Sequence, residues 1–224
     1  MNYTNNITGT AGDDNLFGTV ENDLIEGFAG NDRIFGSEGI NYLYGGSGND
    51  EIFGGSQQDF ISGGSGNDTL RGAEGVNNLY GDNGNDLIYG GSQRDFITGG
   101  SGNDTIFASE GNNEIYGGSG NDVIYSGSGN DFIDSGTGYD TLWLGGGEDV
   151  IVLNTGNGYY TDNGYDTVNN FQLGQTTFDV ANPYDLSIVD GQNGAEISSG
   201  GQLLAVVSST QASTLNDNFY DVFV

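Results

Sequence analysis

Gly99-Gly100-Ser101-Gly102-Asn103-Asp104-Thr105-Ile106-Phe107 is one of a series of nine-residue units that sets the frame of the chain. Starting at Gly9, the sequence divides into nines without a gap through Val152, which makes sixteen units. The eighth position is Ile or Leu in all sixteen, the sixth is Asp in thirteen and Asn in three, and the fourth is Gly in thirteen. Positions 1 to 6 are rich in Gly, Ser, Asn and Asp, which form turns and tolerate positive φ. Positions 7 to 9 predict a short strand; side chains alternate along a strand, so position 8 points inward and positions 7 and 9 outward. A single unit buries nothing by itself, so repeats of this kind must stack. Two units make one coil of strand, turn, strand and turn. Stacked coils predict an all-β, parallel solenoid of about eight 18-residue coils, with Ile and Leu interleaved between two facing sheets.

Composition narrows the function. The 224 residues include 43 Gly and 32 acidic residues but only three basic ones, Arg33, Arg71 and Arg94, for a net charge of −29. Without His or Cys there is no Ser-His-Asp or Cys-His nucleophile, zinc finger or iron–sulfur site. A chain this acidic repels nucleic acid and anionic membranes. No apolar run reaches the ~18 residues of a transmembrane helix. The N-terminal Met-Asn-Tyr-Thr-Asn-Asn has neither a basic nor an apolar signal-peptide region. Nearly every Asp falls on a repeat position, and the three Arg share none, so the expectation is a protein that is not an enzyme. Low hydrophobicity with high charge ordinarily means disorder; a stacked repeat neutralised by bound cations escapes that outcome.

The unit GGSGND followed by x-Ile-x resembles the nonapeptide of repeats-in-toxin (RTX) proteins across residues 9 to 152. The resemblance implies a secreted, hemolysin-type, calcium-bound parallel β-roll in which each ion sits between stacked turns, held by backbone carbonyls and the position-6 Asp. Ca²⁺ takes six to eight oxygens, and a Gly-rich turn can aim several carbonyls at one point. The turns starting at Gly9 and every 18 residues after it are uniform. Carried over, their metal residues are Asp14, Asp32, Asp50, Asp68, Asp86, Asp104, Asp122 and Asp140, with Gly12, Gly30, Gly48, Gly66, Gly84, Gly102, Gly120 and Gly138 at position 4. The turns starting at Gly18 differ: Asn41, Asn77 and Asn113 replace Asp at position 6, and Glu21, Gln57 or Gln93 replace Gly at position 4. A side chain at position 4 should restrict positive φ. Most of this edge is therefore expected to be free of ions, apart from its last pair, Asp131 and Asp149.

After Val152 the frame breaks, and residues 153–224 are expected to form a β cap with a secretion signal, following a roll at 1–152. Residues 154 to 161 look like an insertion. Gly164-Tyr165-Asp166-Thr167-Val168 echoes Gly138-Tyr139-Asp140-Thr141-Leu142, so Asp166 is expected to close one more turn and is a further candidate ligand. TTFDV, DLSIV, AEISS and QLLAVV have strand alternation. The ending Asp221-Val222-Phe223-Val224 resembles the export signal of type I-secreted RTX proteases and implies the type I secretion machinery as a partner and an extracellular or cell-surface location. A stripe at position 9, Phe17, Phe35, Phe53, Arg71, Tyr89, Phe107, Tyr125 and Trp143, should face outward, as a structural stack or as a face for a glycan or protein. Three roles stay open on these grounds: a surface or adhesive protein that folds on extracellular Ca²⁺, the export-and-folding module of a larger enzyme or toxin, and a carbohydrate-binding module.

Overall fold

The computed structural model describes residues 4–153, 164–180, 183 and 186–224. The chain is all-β in its main body and winds as a parallel β-solenoid. Through the repeat each strand pairs with the strand 18 residues on, as in Ile97 with Ile115 in one sheet and Ile88 with Ile106 in the other. Among the described residues one sheet has ten strands and the other twelve.

The period-2 alternation predicted for each unit is present. The strand at Phe60–Ser65, for example, buries Ile61 and Gly63 and leaves Phe60 and Ser62 half-buried. All sixteen position-8 residues, Leu16 to Ile151, form one continuous core, and only Leu16, on the first coil, is measurably exposed, at 9%. Each fully buried Leu or Ile contributes roughly 1.5–3 kcal/mol.

Glycine at position 4 reflects close approach of successive coils, and glycine at position 1 leaves room for the carboxylate of its own turn. Gly66 has φ +133°, and a Cβ there would run into the carbonyl oxygen of Gly48 one coil earlier. A Cβ on Gly63 would meet the carboxylate of Asp68 in its own turn.

The expectation for position 4 needs correcting. Gln57 and Gln93 adopt φ +80° and +83°, so both turns keep the left-handed conformation and carry its strain instead of changing path. Stacking against the coils above and below overrides the local preference of the side chain.

Beyond the roll, Thr167 stands beside Thr141 in register, so Asp166 occupies the place that Asp140 holds one coil earlier. The proposed insertion at 154–161 lies outside the described residues. The four strand patterns of the C-terminal segment are all strands. They prolong the two sheets instead of lying across their end. Thr176–Val180 adds in parallel to Asp149–Leu153, and Gln202–Ser208 adds in parallel to Asp166–Asn169, followed by two antiparallel strands. Two short helices, Ala212–Asp217 and Phe219–Val222, were not foreseen. They bury Ala212, Leu215 and Val222 in the same core, while Phe223 stacks on Phe178 with ring centroids 5.6 Å apart.

Candidate metal centre

The first column of turns is built on a repeated pair of roles for one carboxylate. The backbone N–H of Asp32 donates to Oδ1 of Asp50, and those of Asp50, Asp68 and Asp86 donate to Oδ1 of Asp68, Asp86 and Asp104, each at 2.7 Å. Asp104 to Asp122 and Asp122 to Asp140 continue the series at 2.8 Å. Oδ1 therefore fixes the register of one coil on the next. Oδ2 of Asp32, Asp50, Asp68, Asp86, Asp104 and Asp122 is buried and has no hydrogen-bond partner. These side chains sit in residues only 1–2% exposed. A buried carboxylate oxygen without a partner is costly, and here the cost recurs at every coil.

Burial pushes the Asp68, Asp86 and Asp122 carboxyls up to about 7, with charged neighbours such as Asp50, Asp104 and Asp140 adding to the effect. Burial also raises Asp32, Asp50 and Asp104. Gly30, Gly48, Gly66, Gly84, Gly102, Gly120 and Gly138 all have positive φ, and the position-4 carbonyls run in a row, each against the glycine of the next coil; beside position 1 lie both a carboxylate Oδ2 and the position-1 carbonyl of the next coil, as with Asp50 and Gly63 around Gly45. Among the described residues no three carboxylates converge on one point. A cation in a gap would therefore take one or two carboxylates and complete its shell with carbonyls, which is the donor set Ca²⁺ accepts. The residues fit the ion.

Both ends of this column differ from its middle. Asp14 is already satisfied: the Thr10 N–H and hydroxyl donate to its Oδ2 at 2.6 and 2.9 Å. Gly12 lies outside the left-handed region occupied by its counterparts. Thr19 serves Asp23 in the same way on the other edge. The sequence held this signal, since Thr stands at position 2 only in the first two units. At the far end, Asp140 and Asp166 are buried, and Asp166 accepts a hydrogen bond from the Ser135 hydroxyl at 2.8 Å.

The second column has the same register bonds but a different chemistry. Asn41 and Asp59, for example, are joined from N–H to Oδ1 at 2.8 Å. The Asn41 amide nitrogen also donates to the carbonyls of Glu38 and Gly39, at 3.3 and 3.2 Å. Asp131 donates to Oδ1 of Asp149 at 3.1 Å, and burial pushes Asp131 up to about 7 and raises Asp149.

Outside the turns, the position-9 stripe is a stack. Phe17, Phe35 and Phe53 lie face to face with centroids 4.8–5.1 Å apart, as do Tyr89, Phe107 and Tyr125 at 4.6–5.1 Å, with Trp143 beyond at 6.2 Å. Arg71 bridges the two groups, 5.8 Å from the Phe53 ring and 4.3 Å from that of Tyr89. A second aromatic series, missed in the sequence because it alternates between positions 7 and 9, zigzags over the other sheet through Phe60, Tyr80, Phe96, Tyr116 and Phe132.

The fold and the stacked turns define the class: a nonapeptide-repeat parallel β-roll. The RTX calcium-binding nonapeptide repeat (4 copies) matches residues 8–43, 35–70, 62–97, 71–106, 98–133 and 125–160. Those matches run through most of the chain, which belongs to the RTX calcium-binding nonapeptide-repeat family. No curated protein matches it.

Proposed function

We propose that this protein is a secreted β-roll that folds by taking up extracellular Ca²⁺ along its Asp column and serves a structural, surface or adhesive role. The supporting observation is the row of buried, unpartnered Oδ2 atoms from Asp32 to Asp122, set beside rows of carbonyl oxygens. Oxygen facing oxygen at every coil needs positive charge between. Asp32, Asp50, Asp68, Asp86, Asp104, Asp122 and Asp140 would hold the ions with the position-4 carbonyls, and Asp166 would extend the column by one turn. Asp14 is already bonded to Thr10, so in this reading it closes the column more than it binds. The ion supplies charge neutralisation. Metal binding is then folding free energy, and a chain kept unfolded where Ca²⁺ is scarce is suited to export before assembly. The position-9 rings turn their faces to one another and offer mainly edges to solvent, which favours a structural stack over a face for sugar rings.

A calcium titration followed by far-UV circular dichroism at pH 7.5 tests this. The expected result is a disordered spectrum in EGTA and a β spectrum restored at about 10⁻⁴ to 10⁻³ M Ca²⁺, the range of extracellular modules. A full β spectrum in excess EGTA overturns it.

A further inference from the structure

The two columns have the same backbone, which isolates one difference between them. Gln57 and Gln93 keep the left-handed φ of the glycines they replace. A Cβ on Gly75 would strike the carbonyl of Gln57, as one on Gly66 would strike that of Gly48, so the position-4 carbonyls are presented alike on both edges. The differing group is the second atom of the position-6 side chain. Measured from the position-1 glycine of its own turn, Nδ2 of Asn41 and Asn77 stands where Oδ2 stands in the Asp turns: beside Gly36 and Gly72 in one case, beside Gly54 and Gly90 in the other. From there it donates to carbonyls of its own turn, Glu74 and Gly75 for Asn77 at 3.5 and 3.3 Å, and Gly111 for Asn113 at 3.2 Å.

We infer that Asn41, Asn77 and Asn113 are built-in cation surrogates, their amide N–H groups satisfying the turn carbonyls, so that this edge closes without calcium as far as Asp131 and the roll carries its row of metal along the other edge. The inference rests on the calcium reading of the other edge. Each gap from Asp23 to Asp131 is bordered by one Asn and one Asp, so it holds half the carboxylate charge of a gap in the Asp column. Affinity for Ca²⁺ follows the number of charged ligands. Asp59 and Asp95, each flanked by two asparagines, have buried Oδ2 atoms, and burial pushes both carboxyls up to about 7. Neither Oδ2 has a hydrogen-bond partner, and no neighbouring position-6 carboxylate adds charge to its gaps.

Equilibrium dialysis of the full chain against Ca²⁺ counts the ions. About six to nine are expected: the six gaps from Asp32 to Asp140, with one more at each of Asp14/Asp32, Asp131/Asp149 and Asp166 at most. The triple variant Asn41→Asp, Asn77→Asp, Asn113→Asp is expected to gain up to about six, one for each gap that an Asn borders. A count near fourteen for the unaltered chain, or no gain in a folded triple variant, overturns the inference. Asp59→Asn, Asp95→Asn provides a check independent of the triple variant's folding. It is expected to leave the count unchanged, and a fall of two or more overturns the inference. No bound calcium in the unaltered chain would instead sink the calcium reading itself.

Discussion

The backbone N–H of Asp50 donates to Oδ1 of Asp68 across one coil at 2.7 Å, while Oδ2 of Asp68 is buried without a partner. One oxygen of the carboxylate sets the stacking register and the other calls for positive charge. The two roles sit on one side chain, so substitutions that remove one and keep the other can separate them.

Asp86 is the central case. Asp86→Asn keeps an oxygen to accept the Asp68 N–H and places an amide where Oδ2 was, as at Asn77. It is expected to remain folded in calcium and to bind one or two fewer ions, because two gaps border the residue. Asp86→Ala also removes the acceptor and leaves the Asp68 N–H buried, so it should be less stable than Asp86→Asn by about 1–3 kcal/mol. Dialysis and thermal melts in calcium check both; equal stability of the two variants would refute the register role.

The metal-free protein should depend on pH in the opposite sense to most acidic proteins. Burial pushes the carboxyls of Asp68, Asp86 and Asp122 from 3.8 to about 7 in the fold. A raised folded-state value means that the folded chain binds protons more tightly than the unfolded one. The contribution is complete below the unfolded value near 3.9 and is lost as pH rises through about 7. In EGTA the β signal should therefore be stronger at pH 5 than at pH 8, and calcium should restore it at pH 8. Calcium uptake at pH 7 should release protons. A metal-free fold more stable at pH 8 than at pH 5 would contradict the unpartnered state of these carboxylates.

Most of the roll was legible in the sequence because its rules are local and repeated. Position 8 announces the core and the 18-residue offset the pairing, whereas position 6 reads only as a cation ligand, and its Oδ1 bond to the neighbouring coil shows only when the coils are stacked. What escaped depended on neighbours along the stack. Gln57 keeps a positive φ because the coils above and below hold its turn, which propensity alone does not reveal. The Thr10–Asp14 closure depends on a single residue type at position 2 of the first turn. The Phe60–Tyr80–Phe96 zigzag crosses from position 7 to position 9 and becomes a series only when coils are stacked. The C-terminal helices lack a long apolar period, and Leu215 and Val222 take their burial from the end of the roll.

Glycine at position 4 should matter inside the column and not at its start. Gly66 combines φ +133° with a Cβ position blocked by the Gly48 carbonyl. Gly12 is not left-handed, and a Cβ there meets nothing within 4 Å. Gly66→Ala should lower the calcium-loaded melting temperature markedly, while Gly12→Ala should change stability by less than about 0.5 kcal/mol. Equal effects would show that the coils do not approach as closely as described.

The C-terminal tetrapeptide is expected to have two roles at different times. In the fold, Val222 is fully buried and Phe223 is 4% exposed, and the Val224 N–H donates to the Phe178 carbonyl at 2.9 Å. An exporter that reads Asp221-Val222-Phe223-Val224 must therefore meet it before calcium assembles the roll. Phe223→Asp damages both roles, so secretion of that variant alone cannot separate them. Ile97→Ala supplies the contrast: Ile97 is fully buried in the middle of the roll, and its truncation should cost about 2–5 kcal/mol of folded stability without touching the signal. In cells carrying a type I exporter, Ile97→Ala should reach the medium at close to the unaltered level, whereas Phe223→Asp and a deletion of 221–224 should stay inside. Immunoblots of cell and medium fractions read the outcome. Equal export of all four chains would leave the tetrapeptide as a structural closure of the Thr176–Val180 strand and nothing more.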